Sequence, residues 1–349
     1  MKVVIIWWVQ GFGNWLAKYI HQHFSSDVSV VIADIVNENL PNQDGISYTT
    51  DSKSAVQDAQ IVIFSVPIAQ TQKVIQEIWP QLKPGTIVAD VTSIKSFPTE
   101  AMQTWCKDCV IIPAHPMFWP YVQDIAGQSI VLTPQEFTKS HPAYLRFKTY
   151  LEQQGARVME MSPIKHDQLM AVVQGLTHLS LFVMATTMKE LWLDISDTEA
   201  VSSPIYKMIL SATGRYIGQN PKLYADIQMY NDQVPLVQKH FTQMAETFQT
   251  FTNQRDEQSF VSLLQETKHF FGDHTIKGQR YTDKLIYLTT QQNKLLQDHI
   301  GKQVNLTNMY TGEQKIWLLI SFDADNMVLD WDTRLFTDER IIKDLSLRA

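Results

Sequence analysis

The chain has 349 residues, of which 44% are hydrophobic and 19% are charged, and these proportions are typical of a globular protein of two or three domains. Its formal net charge of −7 argues against general binding to nucleic acids or anionic membranes, so an anionic substrate would need a local cationic site. Only two cysteines are present, Cys106 and Cys109, which argues against a secreted domain built on disulfides and favours an inert pair. No segment has the pattern of a membrane span or a signal peptide, so we expect a cytoplasmic protein.

Residues 1–160 alternate short apolar runs with segments of helical periodicity. Apolar strands separated by helices are typical of a parallel sheet that helices cover on both faces. A doubly wound α/β sheet of this Rossmann-like class binds its ligands at the carboxyl ends of the strands. We predict strands in the runs VVII, VSVVIAD, AQIVIFSV, GTIVADV, CVIIPAH and QSIVLT, and helices over residues 14–23, 69–80, 97–106 and 142–154.

Residues 161–298 have helical periodicity and almost no strand-like alternation. The run from Leu169 to Trp192 is the most apolar, but three polar residues interrupt it, so we interpret it as a buried helix and not as a membrane span. A long apolar helix must bury most of its surface, and an all-α domain that pairs with a second subunit would do this, so we predict a homodimer. The predicted helices cover residues 165–192, 197–217, 232–253, 256–271 and 278–298.

Residues 299–349 return to short alternating runs separated by turn residues. This pattern favours a small β-rich module, with the character of a barrel. We therefore expect three domains, over residues 1–160, 161–298 and 299–349. Strands of the last one are predicted in KQVNLTNM, QKIWLLISFD, NMVLDWD and RLFTDERII.

The N-terminal segment KVVIIWWVQGFGNWLAKYI resembles the first strand, turn and helix of a dinucleotide-binding fold. In one register Gly11 and Gly13 begin the glycine fingerprint, and Leu16 occupies its third glycine position. In the other register the three positions are Trp8, Gln10 and Gly13. We prefer the second, which keeps the helix LAKYI better aligned with the strand VVII. Only Gly13, which lets helix and strand pack closely, is then retained.

A carboxylate stands about 20 residues after this turn, where the fold binds the ribose hydroxyls. Asp34 ends the second predicted strand, and its position favours NAD over NADP as the cofactor. The alternative is a solvated residue at the end of a strand. We also expect Ser65, Val66 and Pro67, which follow the strand IVIF, to line the cofactor groove.

Beyond this fingerprint, long segments over almost the whole chain resemble the prephenate dehydrogenase family, in its archaeal type with an extra C-terminal domain. They are DVTSIKSFP (90–98), PAHPMF (113–118), KHDQLMAVVQGLTHLS (165–180), SSPIYKMILSATGRYIGQNPKLYADIQM (202–229) and KGQRYTDKLIYLTT (277–290). The resemblance implies a nucleotide domain followed by a helical dimerisation domain. It also implies NAD-dependent oxidation and decarboxylation of prephenate to 4-hydroxyphenylpyruvate, on the way to tyrosine.

That reaction needs a base for the proton of the ring hydroxyl, and histidine suits this role near neutral pH. By resemblance the catalytic histidine is His115, which follows the predicted strand CVIIPA. Ser93, in the segment TSIK, matches the family serine that binds both the histidine and the substrate. The alternatives are a hydrogen-bonded histidine at a strand end and an ordinary turn serine.

The substrate is a dianion, and Arg215 stands in an otherwise uncharged stretch, ILSATGRYIGQN. Its guanidinium could clamp a substrate carboxylate through two hydrogen bonds. The alternative is a structural ion pair with Asp226. His178 and Tyr224 match family positions that line the substrate pocket, although a histidine on an apolar helix can also be an ordinary core residue.

Four bulky aromatic residues depart from the family pattern. Trp7, Trp8 and Trp119 stand where the family has glycine, and Tyr121 replaces a small or acidic residue. We expect all of them on loops that face the cofactor or substrate, with strain of about 1–2 kcal/mol where a glycine had positive φ. We hypothesise that reverting them to small residues restores NAD-dependent turnover.

Two other functions remain open at this point. An arogenate dehydrogenase would act on a substrate that differs only by a side-chain amine. A non-catalytic dimeric scaffold or ligand sensor would be consistent with the blocked glycines, whereas His115, Ser93 and Arg215 favour an enzyme. We predict no metal site and no nucleic-acid or membrane partner.

Overall fold

The structure is a computed structural model of the chain. It describes residues 1–7, 12–24, 27–34, 45–120, 122, 124–308, 313–322, 326–330, 333–336 and 340–343. The chain divides into two compact units. The first contains Met1–Asp197 and Leu210–Ala245, and the second contains Thr198–Ile209 and Glu246–Ala349.

Six parallel strands form the main sheet of the first unit. They are β1 (Lys2–Trp7), β2 (Ser29–Asp34), β3 (Ile46–Thr49), β4 (Ile61–Ser65), β5 (Ile87–Asp90) and β6 (Val110–Ile111). Their spatial order is β3-β2-β1-β4-β5-β6, which is the doubly wound order of dinucleotide-binding folds. The predicted fold class is confirmed, although the sequence analysis missed the short edge strand β3.

Helices cover both faces of this sheet, as the apolar strands predict. Val3 and Ile5 of β1 pack against the first helix, whereas Val4 and Ile6 pack on the opposite face against the next three. Alternate residues of one strand thus enter two different cores. The helices of this part are α1 (Phe12–His23), α2 (Ser52–Val56), α3 (Thr71–Ile78), α4 (Ser96–Trp105) and α5 (Pro142–Gln153).

The predicted single strand CVIIPAH is wrong, because the run divides between two sheets. Pro113 has no N–H to continue the ladder, and β7 (Ala114–Pro116) begins after it. β7 pairs antiparallel with β8 (Ser129–Leu132), and β8 pairs parallel with β9 (Arg157–Glu160). The run QSIVLT therefore joins this second, three-stranded sheet and not the parallel one. His115 lies on β7 of the second sheet, opposite Val131 of β8.

The helical part contains one irregular long helix and several regular ones. The elements are α6 (Pro163–Met170), a π-helical turn (Ala171–Leu176), α7 (Thr177–Glu190), α8 (Ile195–Ala200), α9 (Pro204–Ile217), α10 (Pro221–Tyr230), α11 (Val234–Gln254), α12 (Glu257–Phe271) and α13 (His274–Asp298). The predicted helix over 197–217 is wrong as a single helix. It is divided before Pro204, which starts α9 at the position where proline is favoured.

The apolar run from α6 to α7 is largely exposed in a single chain. Pro163–Glu190 is long and apolar enough to cross a membrane by length and composition alone, and only 22% of its most apolar window is buried. The expected burial is thus not provided within one chain. Exposed apolar surface of this extent is typical of an interaction surface.

The C-terminal part is a five-stranded antiparallel sheet, which confirms the predicted β-rich module. Leu306, Leu319, Met327 and Leu329 pack its core against Leu296 of α13. The strand order β13-β12-β11-β10-β14 leaves two edges unpaired in the described chain, so the barrel character is not observed. The strands are β10 (Gln303–Asn308), β11 (Gln314–Phe322), β12 (Asn326–Leu329), β13 (Thr333–Phe336) and β14 (Arg340–Lys343).

Candidate active site

The carboxyl ends of three neighbouring strands meet at one edge of the parallel sheet. Trp7 at the end of β1 is in register with Asp34 of β2 on one side and with Ser65 of β4 on the other. Val66 and Pro67, which are partly buried, follow Ser65 directly. The residues proposed for the cofactor groove on β2 and β4 therefore lie at the edge where this fold binds dinucleotides.

The start of α1 supplies the rest of this edge. Gly13 is buried in the first turn of α1, directly after the segment that connects it to β1. Trp8, Gln10 and Gly11 lie outside the described residues, so the choice between the two glycine registers stays a prediction. The N-terminus of α1 supplies backbone N–H donors, Asp34 supplies a carboxylate acceptor, and the buried Gly13 allows close packing. These groups together fit a dinucleotide.

Trp7 does not occupy the turn in which we expected it. Its backbone belongs to β1 and pairs with strands on both sides. In the described part of the chain, positive φ at residues other than glycine occurs at Trp192, Arg255 and Asp330. Strain from positive φ therefore does not arise at Trp7.

His115 is held in a row of three buried polar side chains. Its Nδ1 atom lies 2.8 Å from Nε2 of His166, and Nδ1 of His166 lies 2.7 Å from Oδ1 of Asp167. His115 is only 4% exposed and His166 is fully buried. β7 and the first turns of α6 supply these groups, so the row joins the second sheet to the helical part.

Asp167 is anchored by backbone as well as by His166. The N–H of Lys95 donates to its Oδ1 atom and the N–H of Ser96 donates to its Oδ2 atom, each at 2.8 Å. These donors lie at the N-terminus of α4, where N–H groups have no partner within the helix. Burial alone would raise the pKa of Asp167, but these hydrogen bonds outweigh it and lower the pKa. Asp167 is therefore a fixed carboxylate at neutral pH.

A fully buried ion pair lies beside this row. Nζ of Lys95 donates to Oδ2 of Asp90 and, at 2.8 Å, to the carbonyl oxygen of Ala114, the residue before His115. The hydroxyl of Thr92 donates to the same Asp90 oxygen. Burial lowers the pKa of Lys95, and the Asp90 charge opposes that shift. The loop after β5 and the strand that carries His115 are thus fixed to each other.

Both histidines of the row are neutral near pH 7. Burial, followed by the nearby His166 and the charge of Lys95, lowers the pKa of His115 well below its usual range. Burial also lowers the pKa of His166, and the hydrogen bond to Asp167 only partly opposes this. A neutral imidazole keeps one nitrogen lone pair, so His115 is able to accept a proton.

Ser93 lies in the same loop as Lys95 and is partly buried. Within the described residues, the structure places no hydrogen bond between Ser93 and His115, whose Nδ1 atom is bonded to His166 instead. The role of Ser93 as the residue that orients His115 therefore stays a prediction.

An aromatic pocket surrounds His178. Its ring centroid lies 4.8 Å from that of Tyr216 and 4.9 Å from that of Tyr224, and Phe182 packs against both His178 and Tyr224. Burial lowers the pKa of His178 to about 4. Its Nδ1 atom is buried and has no hydrogen-bond partner among the residues that the structure describes. A buried polar atom without a partner is costly, so this pocket is suited to a ligand with a polar group.

Arg215 lies at the side of this pocket. Its guanidinium carbon is 5.9 Å from the centre of the Trp119 ring, and Trp119 packs in one cluster with Tyr224. The alternative ion pair between Arg215 and Asp226 does not form, because Asp226 pairs with Lys222 at 3.0 Å. The structure thus brings Arg215, His178 and Tyr224 together, with Trp119 among them. Tyr121 lies outside the described residues.

The π-helical turn places His166 and His178 on the same side of the long helix. Positions 12 apart (178 − 166) in an α-helix of about 3.6 residues per turn would point about 120° away from each other. A π turn takes up one more residue, so the two positions behave as if 11 apart and differ by about 20°. Nε2 of Gln228 donates to the carbonyl oxygen of Gly175 in this turn, at 2.9 Å.

Gly175 provides a test of this arrangement. A Cβ atom at Gly175 would lie 2.8 Å from Cγ2 of Val234, whereas one at Gly278 of α13 would meet nothing within 4 Å. We expect Gly175→Ala to lower the free energy of unfolding by about 1–3 kcal/mol through overpacking. Gly278→Ala should raise it by about 0.5–1 kcal/mol, because alanine favours a helix. Urea unfolding of both variants checks this, and equal values would contradict the close packing.

Sequence reasoning missed His166, Asp167, Lys95 and Asp90. The two histidines of the row are 51 positions apart, so no local spacing indicates their contact. One signal was present, because a His-Asp pair stands directly after a predicted helix start, in the segment KHDQ. The segment DVTSIK likewise contains both partners of the buried ion pair.

Two family models match the chain. The model described as prephenate dehydrogenase, nucleotide-binding domain, matches residues 16–160. The model described as prephenate dehydrogenase, dimerization domain, matches residues 162–266. The five-stranded C-terminal sheet lies outside both matches.

Similar proteins include the probable arogenate/prephenate dehydrogenase of Methanocaldococcus jannaschii, which is 34% identical over 332 residues, or 95% of this chain and 74% of that protein. The T-protein of Enterobacter agglomerans is 32% identical over 224 residues, or 64% of this chain and 58% of the T-protein. The crystal structure of Aquifex aeolicus prephenate dehydrogenase in complex with hydroxyphenyl propionate and NAD+ has the same fold. Its TM-score is 0.61 at 22% identity, and the match covers 77% of this chain and 96% of that one. The chain belongs to the prephenate dehydrogenase family.

Proposed function

We propose that this chain oxidises and decarboxylates prephenate with NAD, giving 4-hydroxyphenylpyruvate for tyrosine biosynthesis. One observation carries this proposal. His115 is a buried neutral imidazole, fixed at Nδ1 by His166, in the same unit as a nucleotide-binding edge and an arginine-lined pocket. The family and its nucleotide-binding domain support an oxidoreductase of this kind.

The reaction removes a hydride and carbon dioxide from the substrate and moves one proton away from its oxygen and back. Ring carbon 4 loses the hydride as its hydroxyl gives a proton to the base and the carbonyl begins to form. Carbon 1 then loses its carboxylate as carbon dioxide, the ring becomes aromatic, and the oxygen takes the proton back as the phenol. When bound, NAD accepts the hydride. His115 takes the hydroxyl proton on Nε2, the nitrogen that has no hydrogen-bond partner among the described residues. Asp34, Gly13 and the residues from Ser65 to Pro67 would hold the cofactor.

Charge explains how an acidic protein binds a dianion. Arg215 is exposed on α9, and no carboxylate in the described chain pairs with it. It is therefore available for a substrate carboxylate, while His178 and Tyr224 form the neutral wall of the same pocket. A guanidinium that is not already paired loses less on binding an anion than one that must first break an ion pair.

Arg215 is expected to act mainly in substrate binding. We expect Arg215→Met to raise the KM for prephenate about 10- to 100-fold, because a charge-assisted double hydrogen bond is lost. Arg215→Lys should recover only part of this, since lysine keeps the charge without the planar two-point contact. Arg146→Met, at an exposed arginine of α5, is the control. Steady-state kinetics check this, and an unchanged KM in Arg215→Met would contradict the assignment.

We also infer that the chain works as a homodimer. The largely exposed apolar run Pro163–Glu190 falls within the matched dimerisation domain, and a second copy would cover it. Burial of such a surface stabilises association through the hydrophobic effect.

The function is tested by assaying the purified full chain with prephenate and with arogenate, each with NAD and with NADP. We expect NAD reduction with prephenate, and the release of one carbon dioxide per NADH. Preference for arogenate would identify the related dehydrogenase instead. No turnover with either substrate, together with retained binding of a substrate analogue, would favour a non-catalytic ligand-binding protein.

A further inference from the structure

The hydrogen bonds around a neutral His166 allow only one arrangement of protons. The carboxylate of Asp167 has no proton to donate, and it already accepts from the N–H groups of Lys95 and Ser96. Nδ1 of His166, which lies 2.7 Å from Asp167 Oδ1, must therefore carry a proton. Neutral histidine carries one proton, so Nε2 of His166 is an acceptor.

The same reasoning then fixes His115. Its Nδ1 atom lies 2.8 Å from the acceptor nitrogen of His166, so Nδ1 of His115 carries the proton and donates it. The lone pair of His115 is left on Nε2. This tautomer follows from the bonding pattern together with the neutral state of His166, since two acceptor nitrogens facing each other at this distance would repel.

We propose that His166 and Asp167 are positioning residues, which hold His115 as the Nδ1–H tautomer so that its Nε2 atom is the base for the substrate hydroxyl. This proposal rests on the proposed function. It assigns the fixing of the imidazole to helix α6, whereas the sequence assigned that role to Ser93. Because Nδ1 of His115 is bonded to His166, Ser93 is left with the Nε2 side, where the substrate hydroxyl would bind.

Charged groups around the row determine its response to proton transfer. His166 and Asp167 lie on α6, Lys95 lies in the loop after β5, and Asp90, at the end of β5, acts on His166. When Nε2 of His115 gains the hydroxyl proton, His115 becomes a cation with protons on both nitrogens. The Asp167 carboxylate stabilises this cation through His166, and the Lys95 charge opposes it. The proton returns to the product oxygen as the ring becomes aromatic, which leaves His115 neutral again.

The tautomer is tested first without any assay of activity. Nitrogen-15 NMR of the full chain labelled at histidine distinguishes protonated from unprotonated ring nitrogens, and His115→Asn identifies the His115 signals. We expect Nδ1 of His115 to be protonated and Nε2 to be unprotonated at pH 7. Protonation of Nε2 with a bare Nδ1 would overturn the proposal.

The kinetic test compares two replacements of His166. His166→Leu removes the acceptor, and we expect kcat to fall about 100- to 1000-fold with KM changed less than threefold, as when a catalytic histidine adopts the wrong tautomer. His166→Gln retains an acceptor oxygen, and we expect it to recover at least tenfold of this loss. Asp167→Asn should also lower kcat, because an amide supplies fewer acceptors for the three donors that face it.

The outcomes separate this proposal from the proposed function. A folded His166→Leu variant with kcat within threefold of the parent protein would overturn the positioning role. Should His166→Leu fail to fold, the NMR experiment on the unsubstituted chain decides the question. The predicted tautomer in a chain that turns over neither prephenate nor arogenate would leave the arrangement in place and would reject the function.

Discussion

Replacing His115 with asparagine is expected to lower kcat for prephenate about 10²- to 10⁴-fold, which is the usual contribution of a general base. Asparagine is the sharpest choice, because its amide N–H can still donate to Nε2 of His166, and the row to Asp167 is then disturbed least. The variant loses only the proton acceptor. Cofactor affinity should stay unchanged, since the residues proposed to hold NAD lie in α1, at the end of β2 and at or just after the end of β4.

The pH dependence of the unsubstituted protein gives the same assignment a second test. Burial lowers the pKa of His115 well below its usual range, so the base stays unprotonated as the pH falls through 6.5. As the pH is lowered, kcat/KM should therefore fall through protonation of His115 only below pH 6.5. A fall centred at or above pH 6.5 would mean that the folded protein raises the pKa of His115.

The experiment with His115→Asn needs two controls. His240→Asn changes an exposed histidine of α11 and should leave both kcat and the pH profile unchanged. Circular dichroism and a calorimetric titration with NAD show whether His115→Asn is folded and binds the cofactor. A folded variant with kcat within threefold of the parent protein would remove His115 from the mechanism.

The sheet was predictable because burial on both faces leaves a simple signal. The strands β1, β2 and β4 are apolar at nearly every position, and no other common element combines that composition with such short length. Their carboxyl ends then placed Asp34 and Ser65 at one edge without any knowledge of contacts. The division after Pro113 escaped prediction, because an apolar run does not indicate which of two sheets it joins.

The row of His115, His166 and Asp167 could not be predicted in the same way. It depends on the first turns of α6 meeting the N-terminus of α4, and tertiary packing alone determines that contact. The π turn could not be predicted from the sequence either. Apolar periodicity defines a long helix, but one extra residue within it changes which side His178 occupies without changing the composition.

The aromatic residues at family glycine positions now separate into two groups. Trp119 packs with Ile68, Ile94 and Tyr224 and carries Arg215 over its ring, so it has become part of the pocket wall. Trp7 ends β1 at the edge proposed for the pyrophosphate, and Trp8, the next residue in the sequence, lies outside the described residues. Reversion of Trp119 should therefore cost stability, whereas reversion of the N-terminal pair should favour cofactor binding.

We expect the double variant Trp7→Gly/Trp8→Gly to bind NAD about 10- to 100-fold more tightly than the parent chain. Dinucleotides need close approach of the phosphates to bare backbone at this turn, and indole side chains occupy space that glycine leaves open. Trp119→Gly is the control, with the same Trp→Gly replacement at a single position outside this edge. It should lower the free energy of unfolding by about 1–3 kcal/mol, since a partly buried indole is lost, and it should leave NAD affinity unchanged.

Calorimetric titration with NAD, in the absence of prephenate, measures both affinities. Tighter binding by the double variant alone would locate the obstruction at the end of β1. Equal affinity of the parent and the double variant would mean that the pyrophosphate does not approach these two positions, and the steric hypothesis would then be wrong. Tighter binding by Trp119→Gly would instead place the obstruction in the loop after β7, four residues beyond His115.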